Sequence, residues 1–197
     1  MYNISFIGNC QTVGLCFYMQ QLKNIKEYNI YYLCYGDEFK PHLERWSDKV
    51  NNKIIEQYEA IEIIKNSDFI IYQEIDISKS CFSNYNKLCE LKNQSCKLIK
   101  IPSIYLNYND YENSLKELQN REISKNVDIT VSNIIEKSKN DKIVFGINHP
   151  TTFLFLEIIK ELCMILDINF FEKCEYDKYI ENFNYMELPY VEGYYGY

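Results

Sequence analysis

Short runs of apolar residues recur along the chain, separated by longer segments with helical spacing, and this alternation limits the fold most strongly. The clearest run, DFIIYQ at residues 68–73, is continuously apolar and ends in a polar side chain. Such runs are typical of buried parallel strands. Strands that alternate with helices form α/β domains with a mostly parallel sheet. The predicted strands cover residues 4–7, 28–34, 68–73 and 96–101.

The segments between these runs place apolar side chains at helical spacing. The last of them, residues 153–166, is strongly apolar and follows Pro150, whose missing N–H costs nothing in a first helical turn. The run KIVFGI at 142–147 is a candidate for a last strand. We predict a single three-layer α/β domain over residues 1–197, with a Tyr-rich C-terminal tail from about residue 169. The other predicted helices cover residues 12–23, 54–66, 110–120 and 127–137.

Charge and cysteine content disfavour several classes of function. The net charge is −7, and lysines are interspersed with acidic residues, which disfavours a nucleic-acid surface. The 8 cysteines include no CxxC pair and the 2 histidines are not at metal spacing, so no metal is predicted. No apolar run approaches the roughly 20 residues that span a bilayer. The start of the chain has no features of a secretory signal, so we expect a cytoplasmic protein with reduced cysteines.

Polar residues follow three of the predicted strands at the point where each strand ends. The motif GNCQ at 8–11 follows the first strand, Gln73 ends the third, and residues 102–105 follow the fourth. Because sites in open α/β sheets form at the carboxyl ends of strands, we expect these residues to converge. Asn148 and His149 are expected to join them from the other end of the chain.

Cys10 has the most distinctive chemistry in this group. It stands at a strand-to-helix turn, where unpaired backbone N–H groups and the helix dipole favour a thiolate. His149 is the histidine best placed to act as its base, with Asn148 or a carboxylate orienting the ring. Gln73 and Asn9, together with backbone N–H groups, would then donate hydrogen bonds to an oxyanion.

Each of these residues also has a purely structural interpretation. Cys10 is then a small packed residue, which is the more frequent case on pattern alone. His149 caps the start of the last helix, and Gln73 bonds a neighbouring loop. Gly8 serves only the turn, and His42 is a surface residue in an unpatterned stretch.

The order of these motifs resembles the WcbI-type polysaccharide biosynthesis family. The resemblance rests on GNCQ at 8–11, a strand that ends in Gln73, the Ile101–Pro102 step and NHPT at 148–151. It implies an SGNH-hydrolase-like fold, close to the flavodoxin-like arrangement, in which GNC stands where those hydrolases carry their GDS serine turn. It also implies a link to capsular polysaccharide biosynthesis, coenzyme A binding and acetyl transfer.

Carried onto this sequence, the resemblance gives Cys10 the position of the nucleophile and His149 that of the general base. The residue three before His149 is Gly146, so the DxxH motif of the hydrolases is absent and no triad acid is assigned. Further residues would shape the turn, line the pocket and bind coenzyme A or an acyl-CoA. These residues are Gly8, Asn9, Gln11, Gln73 and Asn148.

Three functions are compatible with these patterns. The leading hypothesis is an acyl (acetyl) transferase, or a related thiol-dependent esterase or thioesterase, that modifies a small-molecule or glycan acceptor. The alternative is a non-catalytic module that binds coenzyme A, a nucleotide or a glycan at the turn, with Cys10 unreactive. A third interpretation is an interaction protein that uses the Tyr-rich segment 176–197, and an oligomer is compatible with the sequence.

Overall fold

The structure, a computed structural model, describes residues 2–22, 27–33, 57–74, 84–138, 144–145 and 149–170. Its centre is a parallel sheet built from the four predicted strands. These are β1 Tyr2–Ile7, β2 Tyr28–Leu33, β3 Phe69–Gln73 and β4 Lys97–Ile101. Their order across the sheet is β2-β1-β3-β4, with Ile7 of β1 opposite Leu33 on one side and Tyr72 on the other.

Helices cover both faces of this sheet. Side chains of a strand point alternately to the two faces, so Phe6 and Ile7 enter different clusters. The cluster of Phe6 includes side chains of four of the helices and the cluster of Ile7 includes side chains of two others, which confirms the predicted three-layer α/β fold. On the Phe6 face lie α1 Cys10–Gln20, α4 Tyr111–Lys125, α5 Val131–Lys137 and α6 Thr152–Leu166. On the Ile7 face lie α2 Gln57–Lys65 and α3 Tyr85–Leu91.

The predicted last strand at 142–147 does not extend the main sheet. In the described residues, β5 Val144–Phe145 pairs antiparallel with β6 His149–Pro150 as a separate two-stranded unit. The edge of β4 is instead bonded by Asp128, whose N–H donates to Lys100 O at 2.9 Å. Lys100 N–H in turn donates to Asp128 Oδ2 at 2.7 Å. This segment occupies the edge that an added strand would need.

The connection from α4 to α5 differs from the prediction in both of its limits. α4 continues past residue 120 to Lys125, and Asn126 ends it in the left-handed conformation, with φ 48°. α5 begins at Val131 and has no side-chain cap of its own at Thr130. The buried Glu122 of α4 supplies the cap, because its carboxylate accepts hydrogen bonds from the Ser132 N–H, at 3.0 Å, and from the Ser132 hydroxyl.

The start of α6 also differs from the prediction. Thr151 is the N-cap, and its hydroxyl oxygen accepts from Leu154 N–H at 3.5 Å. Pro150 therefore lies before the cap, in β6, and not in the first helical turn. His149 lies one residue further back, so the structural interpretation of His149 as the cap is wrong.

Candidate functional site

The carboxyl ends of β1 and β3 define the candidate site. From β1 the chain crosses to β2 on one side, and it later returns to β3 on the other side. The connections therefore diverge between β1 and β3, which is the point where open α/β sheets form ligand crevices. GNCQ at 8–11 directly follows β1, and Gln73 is the last residue of β3.

The turn after β1 is held by short-range hydrogen bonds. Asn9 is the N-cap of α1, and its Oδ1 accepts from Gln11 N–H at 2.9 Å. The Thr12 hydroxyl donates to Asn9 O at 2.6 Å, and the Tyr32 hydroxyl of β2 donates to Gly8 O at 2.8 Å. These contacts satisfy backbone groups that a strand-to-helix turn otherwise leaves unpaired.

Close packing requires a glycine at position 8 of this turn. A Cβ at position 8 would lie 2.2 Å from Thr12 Oγ1 and 3.0 Å from Gln73 Oε1. Its backbone is outside the left-handed region, so the constraint is steric. The glycine allows the turn to approach both Thr12 and the end of β3.

Gln11 and Gln73 form a buried network of amide hydrogen bonds. Gln73 Nε2 donates to Gln11 Oε1 at 2.9 Å and to Pro102 O at 3.0 Å. Gln11 Nε2 donates to Ile104 O at 2.7 Å, and Gln11 Oε1 accepts from Ile104 N–H at 3.0 Å. Gln73 Oε1 accepts from Asn9 N–H at 3.4 Å. The ends of β1, β3 and β4 therefore converge, as the sequence predicts.

This network constrains the roles predicted for the two glutamines. Both amide hydrogens of Gln73 are donated within the protein, so in this arrangement its side chain has none left for an oxyanion. Gln11 is 4% exposed and Gln73 0%, which leaves little surface for contact with a ligand. Asn9 is half-buried, and its Nδ2 has no hydrogen-bond partner among the described residues.

Cys10 is the exposed member of the turn and the first residue of α1. Desolvation by the surrounding protein raises the pKa of its thiol, and the backbone N–H groups of Cys10 and Gln11 oppose that rise. Cys10 is both exposed and desolvated because one side of the residue contacts solvent while most of its surroundings are protein. The protonated thiol is therefore the resting form near neutral pH, and a nucleophilic role needs a base.

The start of α6 lies at the same end of the sheet as Cys10. Near that start, the Phe155 ring lies against Gly14 of α1, and Thr152 Oγ1 is 2.8 Å from the hydroxyl of Tyr18. The far end of α6 lies by Tyr28, the first residue of β2. Desolvation raises the pKa of Tyr28, and the neighbouring acidic groups that add to this rise include Asp167. α1 and α6 therefore both run away from the carboxyl edge.

The backbone of His149 precedes α6 and belongs to this edge. The His149 side chain lies outside the described part of the structure, as do Asn148 and His42. The pairing of Cys10 with His149 therefore stays a prediction. The Tyr-rich segment 176–197 also lies outside the described residues.

Sequence reasoning did not identify Thr12 and Tyr32, which hold the turn, or the paired bonds between Gln11 and the Ile104 backbone. A hydroxyl next to GNCQ and an aromatic ending a neighbouring strand are too common to be a signal. Tyr105, next to Ile104, is 47% exposed on the loop that these bonds hold. The polar residues after β4 allowed the sequence analysis to place this loop at the carboxyl edge, but its bonds to Gln11 were not predicted.

The described residues contain no cluster of metal ligands and no helix that could span a membrane. No group of three or more His, Cys, Asp or Glu side chains there is arranged to hold a metal ion. None of the helices in the described ranges has the length and apolar character needed to cross a membrane. Comparison with known protein families finds no matching family model, and comparison with curated proteins finds no significant match.

Proposed function

We propose that this chain is a thiol-dependent acyltransferase, or a related esterase or thioesterase, that modifies a sugar or glycan acceptor. The observation that carries the proposal is the placement of Cys10. An exposed thiol begins a helix at the switch point of the sheet, where the backbone N–H groups of Cys10 and Gln11 act to lower the pKa of the thiol. Hydrogen bonds of the buried Gln11 and Gln73 amides connect the turn to the loop after β4.

In the proposed reaction, His149 takes the proton of the Cys10 thiol, and the sulfur attacks the carbonyl carbon of an acyl donor. The new bond joins Cys10 Sγ to the acyl carbon, and the donor leaves as a thiol or alcohol that recovers the proton. An acceptor hydroxyl, or water in a hydrolase, then attacks the thioester and frees Cys10. Because the raised pKa keeps the Cys10 thiol protonated, a general base has to remove its proton when substrate is bound, and this is the role proposed for His149.

A coenzyme A thioester is the donor that the family resemblance implies. The residues predicted to bind it fit only in part, since Gln11 and Gln73 are engaged with each other and with backbone. Asn9 Nδ2 and the exposed face of Cys10 are the groups at the turn that remain available to such a ligand. We further propose a cytoplasmic location, which agrees with the free state of the five described cysteines.

The test compares Cys10→Ala and His149→Ala with wild type in release of free thiol from acetyl-CoA, with and without sugar acceptors. Cys89→Ala is the matched control, because Cys89 is the other exposed cysteine of the described residues. Intact mass should show an acetyl group on Cys10 that the Cys10→Ala variant lacks. Unchanged turnover in both Cys10→Ala and His149→Ala would refute the catalytic roles.

A second candidate, a non-catalytic binding module, is favoured by one observation. The raised pKa leaves Cys10 as a neutral thiol at the start of a helix, where backbone N–H groups can hold an anionic ligand group. Calorimetric titration with coenzyme A separates the two functions. Binding that Cys10→Ala retains, together with alkylation of Cys10 no faster than that of Cys89, would support the module and count against the enzyme.

A further inference from the structure

We infer that Gln11 and Gln73 are a positioning pair that sets the reactivity of Cys10, and that they do not belong to the ligand-binding surface. The inference deepens the proposed function, on which its catalytic meaning rests. The two side chains are buried and hydrogen-bonded to each other, and they lie at the ends of different strands, Gln11 just after β1 and Gln73 at the end of β3.

The oxygen and the nitrogen of each side-chain amide are bonded within the protein, to the other glutamine or to backbone. Gln73 donates its two amide hydrogens to Gln11 Oε1 and Pro102 O. Gln11 bonds the backbone of Ile104 twice, donating to its carbonyl and accepting from its N–H, much as a neighbouring strand would. A buried amide network with its hydrogen bonds satisfied favours one arrangement over all others.

The hydrogen bonds of the two glutamines also hold the backbone groups on either side of Cys10. Gln73 Oε1 accepts the N–H of Asn9, the residue before Cys10. Gln11 is the residue after Cys10, and its N–H donates to Asn9 Oδ1 at 2.9 Å while also helping to lower the pKa of the thiol. Fixing the Gln11 side chain to Ile104 therefore fixes the direction of a backbone donor that stabilises thiolate.

The loop that the Gln11–Gln73 pair contacts is itself anchored to α4. The loop at residues 102–107, which carries Ile104, is bonded to α4 at two further points. Arg121 Nη1 donates to Ser103 O at 2.7 Å, and Asn107 N–H donates to Ser114 Oγ at 3.1 Å. The amide pair thus links α4 and the loop after β4 to the turn that holds the thiol.

The experiment measures the rate of Cys10 alkylation by iodoacetamide as a function of pH, read by mass spectrometry on the peptide that contains Cys10. The variants are Gln11→Met, Gln73→Met and the double variant, because methionine has similar length and cannot replace the bonds. Gln20→Met is the matched control. Gln20 lies at the far end of the same helix and also bonds a backbone carbonyl, Ile30 O at 3.3 Å.

Each single variant is expected to slow alkylation at pH 8 by about threefold to tenfold, as the pH profile moves up by roughly half a unit to one unit. The double variant is expected to match the single variants, because the two side chains share a hydrogen bond and act as a unit. Gln20→Met should leave the profile unchanged. A profile unchanged in all variants, or moved equally by Gln20→Met, would overturn the inference.

Milder changes and a wild-type measurement cover the case of variants that fail to fold. Gln73→Asn keeps the amide but is too short to reach both of its acceptors, so the profile should move in the same direction. In wild type, the N–H groups of Asn9 and Ile104 should show the same opening free energy in hydrogen exchange. Unrelated opening energies would refute the coupling without any variant.

The outcomes separate this inference from the proposed function. If the variants move the alkylation profile but wild type transfers no acyl group, the proposed function fails and the positioning pair stands. If wild type transfers acyl groups and the variants leave both kcat and the alkylation profile unchanged, the pair is only structural.

Discussion

Replacing Gly8 by Ala tests whether the turn after β1 is as closely packed as the structure shows. The added Cβ would lie 2.2 Å from Thr12 Oγ1 and 2.7 Å from Thr12 Cγ2, which is closer than real contacts permit. Thr12 sits in the first turn of α1 and bonds Asn9 O at 2.6 Å, so moving its side chain breaks that bond. Gln73 Oε1 lies 3.0 Å from the added Cβ, so the turn cannot relieve the clash with Thr12 by moving toward Gln73.

The expected loss of stability is the sum of three contributions. Overpacking a tight site costs typically 1–3 kcal/mol, taken here as about 2 kcal/mol. Loss of the Thr12 hydrogen bond adds about 1 kcal/mol. Reduced freedom of the unfolded chain, when Gly becomes Ala, returns about 0.5 kcal/mol. The free energy of unfolding of Gly8→Ala should therefore fall by about 2.5 kcal/mol.

Urea denaturation followed by circular dichroism measures this change, with Thr12→Ala as the partner in a double-mutant cycle. Thr12→Ala alone should cost about 1 kcal/mol, through the lost hydrogen bond. It also removes both atoms of the closest contact, so Gly8→Ala with Thr12→Ala should cost less than the sum of the single changes. A loss below about 0.5 kcal/mol in Gly8→Ala, or strict additivity in the cycle, would refute the steric reasoning.

Three further predictions follow from other parts of the structure. Gly14→Ala should cost about 1–2 kcal/mol of unfolding free energy despite a better helix propensity, because its Cβ would lie 2.5 Å from the Phe155 ring. Adding Phe155→Leu should relieve part of the loss in the same urea assay, and strict additivity would contradict the contact. Burial raises the pKa of Glu122 above its ordinary value of 4.5, so wild type should lose stability relative to Glu122→Gln as pH rises from that value through the raised pKa. A stability difference independent of pH in urea titrations between pH 4 and 8 would show that the carboxyl is not perturbed. If the proposed function holds, Tyr105→Ala should raise KM for the acceptor at unchanged kcat, whereas Tyr2→Ala, 52% exposed at the opposite end of the sheet, should leave KM unchanged.

The sheet could be predicted from the sequence because its strands are short and mainly apolar. Residues 70–73 are buried in the structure, with Ile71 packed on one face of the sheet and Ile70 and Tyr72 on the other, as a central parallel strand requires. Only the first residue of the predicted range 68–73 lies outside β3. The helix limits were harder to predict. α4 runs to Lys125 and ends at Asn126, and a left-handed asparagine looks like any other surface asparagine in a polar sequence.

The amide network could not be predicted, for a physical reason. Gln11 and Gln73 are far apart along the chain, and a glutamine that binds a ligand has the same identity as one that bonds a loop. The sequence placed both at the carboxyl edge, which follows from strand order and is confirmed. The hydrogen-bond partners of Gln11 depend on where the backbone of Ile104 lies, and the residue types in the sequence do not reveal that position.

The contrast among the cysteines gives the strongest structural argument for Cys10. Cys16 and Cys163 are buried in the apolar layer between the sheet and its helices, where desolvation raises the pKa of the Cys163 thiol to about 12. Such thiols pack as small hydrophobic groups and do not react. Cys10 lies beside the buried amides of Gln11 and Gln73, reaches solvent, and has two neighbouring backbone N–H groups that act to lower the pKa of its thiol. A packed structural cysteine would need neither solvent contact nor backbone donors. The combination therefore favours a thiol held for chemistry or binding, and the alkylation profile of Cys10 decides between the two.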